Sequence, residues 1–349
     1  MRVLFDLGHP ADVHLFKHAI WHCQKKGYAV KIVCRPRDNL LALLKRYRLP
    51  CTSLGHAESL IGKMVGMLRI DYQLYRVVRR FRPNLLVNFA SPYSVHLGYF
   101  LNIPVITFID TEPDSFSPYY LYYRLIFQPF VKKVFIPQSY RQSFNAPHRI
   151  RYRGFKELAY LHPNRFRVDP KVLEPLNLRP GEKIILVKFA AADAIHDVNY
   201  RMFRNNTERV RFVRALQPYG RVFVSSELHI PELKELELDL PPGDIHHLLA
   251  VAHLYVGEGA TMAAEAGILG TPWVFLYRRG LGYLNFQQER YGLGKVCLSV
   301  PEALQASQRF LTIPDVKTKW AKKRQRLLNE HIDVTAMIIE EIEKVACQR

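Results

Sequence analysis

No apolar run in this 349-residue chain reaches the length of a membrane-crossing helix. The N-terminus enters a strand-like stretch at 2–7 rather than a signal peptide. Cysteine is scarce: Cys23, Cys34, Cys51, Cys297 and Cys347 are odd in number and show no C-x-x-C spacing. That argues against a disulfide framework and a zinc site, and it makes a reducing, cytoplasmic setting the expectation. No H-E-x-x-H or comparable spacing is present, so neither a metal nor a bound cofactor is expected. There is no G-x-G-x-x-G or G-x-x-x-x-G-K-[ST], and no zinc-finger or RNA-recognition signature, so nucleic acid is not an expected partner.

Acidic residues are the other shortage. Lys and Arg number 50 against 31 Asp and Glu, a net charge of +19. Residues 1–150 hold 21 basic against 8 acidic side chains (+13), and residues 151–349 hold 29 against 23 (+6). A first half this basic points to an anionic partner, such as acidic lipid headgroups or a phosphorylated acceptor, or else to a solvated basic face. The helix-like stretch 62–82, with Arg69, Arg76, Arg79 and Arg80, could lie on an anionic membrane or pack on the core with its charges in solvent.

The chain is long enough for two domains. Short apolar strands at 3–7, 29–34, 85–89, 105–109 and 133–136 alternate with helices near 13–26, 38–47, 63–81, 92–101 and 119–130. This is the pattern of a parallel sheet covered on both faces. The stretch 151–166 breaks the alternation, so the expected domains are 1–152 and 153–325, followed by a terminal helical segment, 326–349. Alternation resumes with strands at 184–189, 221–224, 253–256 and 273–276. Asp244 is expected to cap a helix over 245–251, leaving His246 and His247 exposed or lining a cleft.

The stretch 253–276 reads strand, glycine turn, helix, Gly270 and Pro272, then strand again. A helix starting at the carboxyl edge of a sheet offers free N–H groups and a positive dipole end, which suits a phosphate. The backbone of Glu258, Gly259, Ala260 and Thr261 is the candidate cradle, and Thr261 adds a hydroxyl. Glu265, one turn on, can accept from ribose hydroxyls. The bland alternative is a packing turn. Ser225 and Ser226 follow a strand and could cradle base or phosphate, the small residues 190–194 would let a ligand approach, and Tyr283 and Gln287 could touch a sugar. In the first half, the loop Gly8-His9-Pro10-Ala11-Asp12-Val13-His14 gathers His9, Asp12 and His14 at a strand end. They could supply a general base, or Asp12 could simply cap the following helix. Ser91-Pro92 and Asp110-Thr111-Glu112 follow strands that end at the same edge.

Gly259, Thr261, Glu265, Gly270 and Pro272 resemble the donor-binding signature of GT-B glycosyltransferases and of non-hydrolysing nucleotide-sugar 2-epimerases. Over nearly its whole length the chain resembles the predicted glycosyltransferase family known as domain of unknown function 354. That resemblance rests on the GHPADVH loop, Ser91-Pro92, Asp110-Thr111-Glu112, residues 154–163, Ser225-Ser226-Glu227 and 257–272. It implies a GT-B-like α/β fold of two Rossmann-like domains whose parallel sheets face an interdomain cleft. The second domain would bind a nucleotide-sugar, a UDP-sugar first of all, and the first an acceptor. The implied activity is a metal-independent glycosyltransferase, with Asp12, His9 or His14 deprotonating an acceptor hydroxyl. Ser91, Asp110, Glu112, Gly154, Tyr283 and Gln287 would surround acceptor and sugar. Asp12 stands where the family usually has a histidine, and a carboxylate can also serve as base there. The basic first half suits an anionic or lipid-linked acceptor and a peripheral place at the inner face of a membrane. A nucleotide-sugar 2-epimerase and a non-catalytic nucleotide-binding protein are the alternatives.

Overall fold

A computed structural model describes the chain apart from residues 37–38, 56–59, 111, 113–119, 122, 141–147, 191–201, 242, 278–280 and 349, with backbone alone at 60–65 and 148. Thr111, most of the small-residue run 190–194, and Gly280 therefore lie outside the described residues. Contacts divide the chain into two units, Met1–Tyr160 with Ile332–Arg349, and Leu161–His331.

The first unit holds a seven-stranded parallel sheet ordered β3-β2-β1-β4-β5-β6-β7. Its strands are β1 Arg2–Leu7, β2 Ala29–Cys34, β3 Thr52–Ser53, β4 Leu85–Phe89, β5 Val105–Phe108, β6 Lys133–Pro137 and β7 His148–Tyr152. Helix α1 (Pro10–Lys25) turns Val13, Phe16, Ile20 and Cys23 inward at helical spacing. Phe16 meets Phe5 and Phe108 at 6.0 and 5.9 Å between ring centres. Helices α2 (Leu40–Arg46), α3 (Leu60–Phe81) and α4 (Pro92–Phe100) follow. Ile70, Leu74 and Val78 of α3 cluster with Leu97 of α4 and with Leu4 and Leu86 of the sheet.

Three expectations change here. Strand β7 lies partly within the stretch read as a junction; its alternating His-Arg-Ile-Arg-Tyr pairs with β6 from Lys133 to Pro137. The helix expected over 119–130 is, at its described end, a π-turn (Tyr123–Phe127) followed by a 3₁₀ turn (Gln128–Phe130). Pro129 has no amide to continue an α-helix. The boundary falls after Tyr160 rather than after 152. Phe155, Leu158 and Tyr160 are buried, and Tyr160 lies 5.2 Å from the ring of His14. Chain returns to this unit at Ile332, whose N–H donates to Arg153 O at 2.9 Å. The last helix, Val334–Cys347, is tied on by Thr335 Oγ1 to Ala159 O (2.6 Å) and by Tyr28 Oη to Glu343 (2.7 Å).

The second unit holds a five-stranded parallel sheet ordered β12-β11-β10-β8-β9. These are β8 Ile184–Phe189, β9 Arg221–Ser226, β10 Leu254–Gly257, β11 Trp273–Leu276 and β12 Gly294–Cys297. Strand β12 and the helix Val300–Leu311 were not read from the sequence. The helix Ala260–Leu269 is buried over 263–269, which is why its sequence shows no polar face. Its last turn is capped by Arg324 Nε on Ile268 O at 2.8 Å. Lys317 Nζ donates to Ala250 O and Ala252 O at 2.8 and 2.9 Å, and burial together with Arg324 pushes its ammonium down to about 8. The basic helix Val316–Glu330 is thus partly a capping device.

Candidate functional site

All strands of a parallel sheet end at one edge, and register fixes which residues stand side by side there. In the second unit Ser225, Lys188, Gly257 and Phe275 form one row across β9, β8, β10 and β11. Gly257 is required in that row, because a Cβ there would stand 2.3 Å from Lys188 O. The chain then turns into the Ala260–Leu269 helix, with Gly259 as its N-cap residue. The Tyr255 hydroxyl occupies the space a side chain at 259 would need and donates to Gly259 O at 2.8 Å. No side chain caps this helix, and among the described residues nothing accepts from the N–H of Gly259, Ala260, Thr261 or Met262. Residues 259–262 are partly exposed, and free amides at the positive end of a helix have the chemistry that favours an anion.

Glu258 departs from the expected cradle. Its N–H is already spent on Lys188 O at 3.0 Å, and its carboxyl lies near the buried Arg209, with burial raising its pKa. Lys188 is the residue sequence reading missed. Its stem runs beneath Gly259, and its ammonium pairs with the exposed Glu227 at 2.8 Å. An ion pair with so exposed a partner is worth about 0–1 kcal/mol, weak enough for a phosphate to take the carboxylate's place. The signal was available: a lysine near the end of an otherwise apolar strand.

Glu265 is buried and pairs with Nε2 of His246 at 3.0 Å. This corrects the expectation that His246 is exposed or lines a cleft: the helix Ile245–Val251 carries it inward against the Ala260–Leu269 helix. His247 accepts the Asp169 N–H at 2.9 Å. Asp244 holds the N-cap position without a capping bond from its side chain. Ser226 is folded into its own turn, with Oγ donating to Leu228 O (2.8 Å) and accepting from Leu228 N (3.0 Å).

Tyr283 and Gln287, expected at the sugar, are both buried. Gln287 is 0% exposed, accepts the Trp273 indole N–H at 3.1 Å and donates to Ala264 O at 3.2 Å. Gly267 makes room for this amide, since a Cβ there would stand 2.1 Å from Gln287 Oε1. Gln287→Leu is therefore expected to cost roughly 1–3 kcal/mol by stranding the Trp273 donor. Melting scans should show the loss, while titrations with nucleotide should show unchanged affinity.

The first unit has its own polar row, unread in the sequence. Asp6, Asn88 and Thr107 sit side by side on β1, β4 and β5, each one residue before its strand ends, and all are buried. Asp6 accepts from Ser91 Oγ, from Ser94 Oγ at 2.6 Å and from Arg35 Nη1. Asn88 Oδ1 accepts the Ser91 N–H at 3.0 Å and Thr107 Oγ1 at 2.7 Å. Ser91, expected at the acceptor, thus has both its donors engaged in bracing this row. Gly8 leaves the path for Arg35, whose Nη2 would be 2.3 Å from a Cβ there.

His9 is the exposed N-cap residue of α1, and its Nδ1 accepts the Ala11 N–H at 3.2 Å. Asp12, at the third helical position, accepts the N–H of Gly8 and of His9 on Oδ2 at 2.8 and 2.9 Å. The pair forms a capping box. Asp12 is 4% exposed, and burial pushes its carboxyl up to about 7 against the opposing pull of these amides, Arg35 and Lys156. His14 faces inward, its ring tilted at 32° to that of Tyr160 and 3.5 Å from Tyr47 Oη. Asp110 is buried in an ion pair with Lys156 at 2.7 Å, and Lys156 Nζ is 4.0 Å from Glu157. Burial, with Asp110 and Glu157 nearby, raises the Tyr152 hydroxyl well above its ordinary value. Glu112 is half-buried two residues beyond Asp110. Gly154 packs closely on the last helix, since a Cβ there would be 2.9 Å from Val334. Of the expected set, Asp110 is paired with Lys156, a residue not singled out beforehand, and the charge of the same ammonium draws on the Asp12 carboxyl.

The model of the family described as "Protein of unknown function (DUF354)" matches residues 1–344. An uncharacterized protein of Methanocaldococcus jannaschii is 22% identical over 286 residues, covering 80% of this chain and 82% of that protein. The UDP-GlcNAc 2-epimerase from Neisseria meningitidis bound to UDP-GlcNAc aligns with a TM-score of 0.71 at 13% identity, covering 99% of this chain and 100% of that one. The spinosyn rhamnosyltransferase SpnG, solved with spinosyn aglycone, aligns with a TM-score of 0.66 at 16% identity over 98% of this chain and 100% of that one. Likeness at such identity is one of fold, two parallel-sheet α/β domains of the GT-B type. The chain belongs to the DUF354 family and carries its sequence pattern on a GT-B fold.

Proposed function

We propose that this protein is a metal-independent glycosyltransferase that moves a sugar from a nucleotide-sugar, a UDP-sugar first of all, to an acceptor hydroxyl. The observation that carries the reading is the uncapped turn at 259–262 beside Lys188, a ready-made diphosphate site at the sheet edge. SpnG has also been solved with thymidine diphosphate, and the Neisseria epimerase with UDP-GlcNAc, so nucleoside diphosphates recur among proteins of this fold.

In the proposed step the acceptor oxygen attacks the anomeric carbon, Asp12 takes the hydroxyl proton, and the sugar–oxygen bond to the diphosphate breaks. The electron pair leaves with the diphosphate. Its developing charge is met by the amides of 259–262, the Thr261 hydroxyl and Lys188. Glu265, oriented by His246, accepts from the ribose hydroxyls. Asp110 and Lys156 orient the acceptor. The excess of basic residues over 1–150 favours an anionic or lipid-linked acceptor and a peripheral location.

A second reading is a nucleotide-sugar 2-epimerase, favoured by Asp110 and Glu157 set about Lys156, which could serve proton transfer at a sugar carbon. Incubation with nucleotide-sugars, with and without polyprenyl phosphate acceptors, separates the two. Release of nucleoside diphosphate only when an acceptor is present is expected. Interconversion of the free nucleotide-sugar without acceptor would replace transfer by epimerisation.

A further inference from the structure

We infer that the outer face of the layer formed by α3, α4 and the described residues of 120–130 is a docking surface for an anionic lipid bilayer. This does not depend on which reaction the protein catalyses. Helix α3 is apolar on two sides. Its inner stripe, Ile70, Leu74 and Val78, packs on the core. Leu68, Tyr72 and Tyr75, spaced by four and three residues, form a second stripe that faces solvent, with Leu68 71% exposed.

The neighbouring elements continue the pattern. Phe100 at the end of α4 is 69% exposed, and Leu121 and Leu125 are 61% and 60% exposed. His96 joins these elements into one layer, with Nδ1 on Asp71 of α3 at 3.3 Å and Nε2 on Ile126 O at 2.6 Å. With Tyr99, seven of the ten exposed large hydrophobic residues among those described lie here; Leu41, Val168 and Leu298 are elsewhere. Such a concentration marks an interaction surface, whereas singly scattered residues would not.

Charge decides the partner. Arg69, Arg76, Arg79 and Arg80 are exposed along α3, and no ion pair to them is found among the described residues. Arg124 and Lys132 lie on the adjoining segment, while Lys133 is paired with Glu341 of the last helix. Within 66–81, 92–100 and 120–133 the one acidic residue is Asp71, and it is turned onto His96. Aliphatic and aromatic side chains set among arginines, with the single carboxylate half-buried against His96, match the boundary between anionic headgroups and acyl chains. No described helix is long and apolar enough to cross a membrane, so this surface would lie on the bilayer.

Flotation with vesicles tests it. The full chain is expected to float with phosphatidylcholine vesicles containing phosphatidylglycerol, and to stay behind with pure phosphatidylcholine. Arg76→Gln and Arg80→Gln should each weaken binding about fivefold, and Leu68→Ser and Phe100→Ser each about tenfold or more. All four positions are exposed, so the melting temperature should not move. Failure to float with anionic vesicles, or flotation unchanged in both sets of variants, would overturn the proposal. So would a dimer in light scattering that Leu68→Ser dissociates, since a second copy would then own the face.

Discussion

Asp12→Asn is expected to lower turnover by roughly 10²–10⁴-fold, the usual worth of a general base, and at the same time to stabilise the fold above neutral pH. Both effects follow from one carboxyl whose pKa is raised by burial from 3.8 to about 7. In the unfolded chain this group ionises near pH 4, so between about 4 and 7 the folded state holds the extra proton. Its contribution to stability is complete below pH 4 and is lost as pH rises through 7. At 1.36 kcal/mol per unit the loss is on the order of 4 kcal/mol.

Asparagine carries no such titration, and its Oδ1 can still accept the Gly8 and His9 amides that close the capping box. Melting temperatures of wild type and variant should coincide near pH 4 and diverge toward pH 8, with the variant higher. The same ionisation sets the acid limb of the wild-type rate, so kcat/KM should fall about tenfold per pH unit below 7. A cap with no chemical role would predict the same divergence in melting temperature, with activity retained by the variant.

Lys188→Met is the second large effect. Hydrogen bonds to charged groups contribute roughly 1.5–3 kcal/mol, so affinity for a nucleoside diphosphate should fall about ten- to a hundredfold. Stability should hardly change. Methionine can keep the apolar stem under Gly259, and the partner lost is the exposed Glu227. A variant that binds nucleotide as well as wild type would put the phosphates elsewhere than over this row.

Much of the fold was legible because parallel strands covered on both faces read as short apolar runs. Val3 to Leu7, Leu85 to Phe89 and Ile184 to Phe189 needed no tertiary knowledge. The glycine turn at 257–259 was legible for a related reason, since only a residue without a side chain fits against Lys188 O. What stayed hidden depends on register and on partners far away in sequence. Asp6, Asn88 and Thr107 become a row only when β1, β4 and β5 are aligned. A polar residue one place from the end of each of three apolar strands was the clue. Gln287 and His246 looked like free polar groups until Trp273 and Glu265 were placed beside them. His148–Tyr152 was passed over because its charges obscured an alternating strand pattern.

The most direct test of the donor site is calorimetric titration of the protein with UDP, dTDP, GDP and CDP, in parallel with Lys188→Met. The account predicts that at least one nucleoside diphosphate binds, and that Lys188→Met weakens it about ten- to a hundredfold while leaving the melting temperature in place. No binding by any of the four, or binding that is indifferent to Lys188, would contradict it.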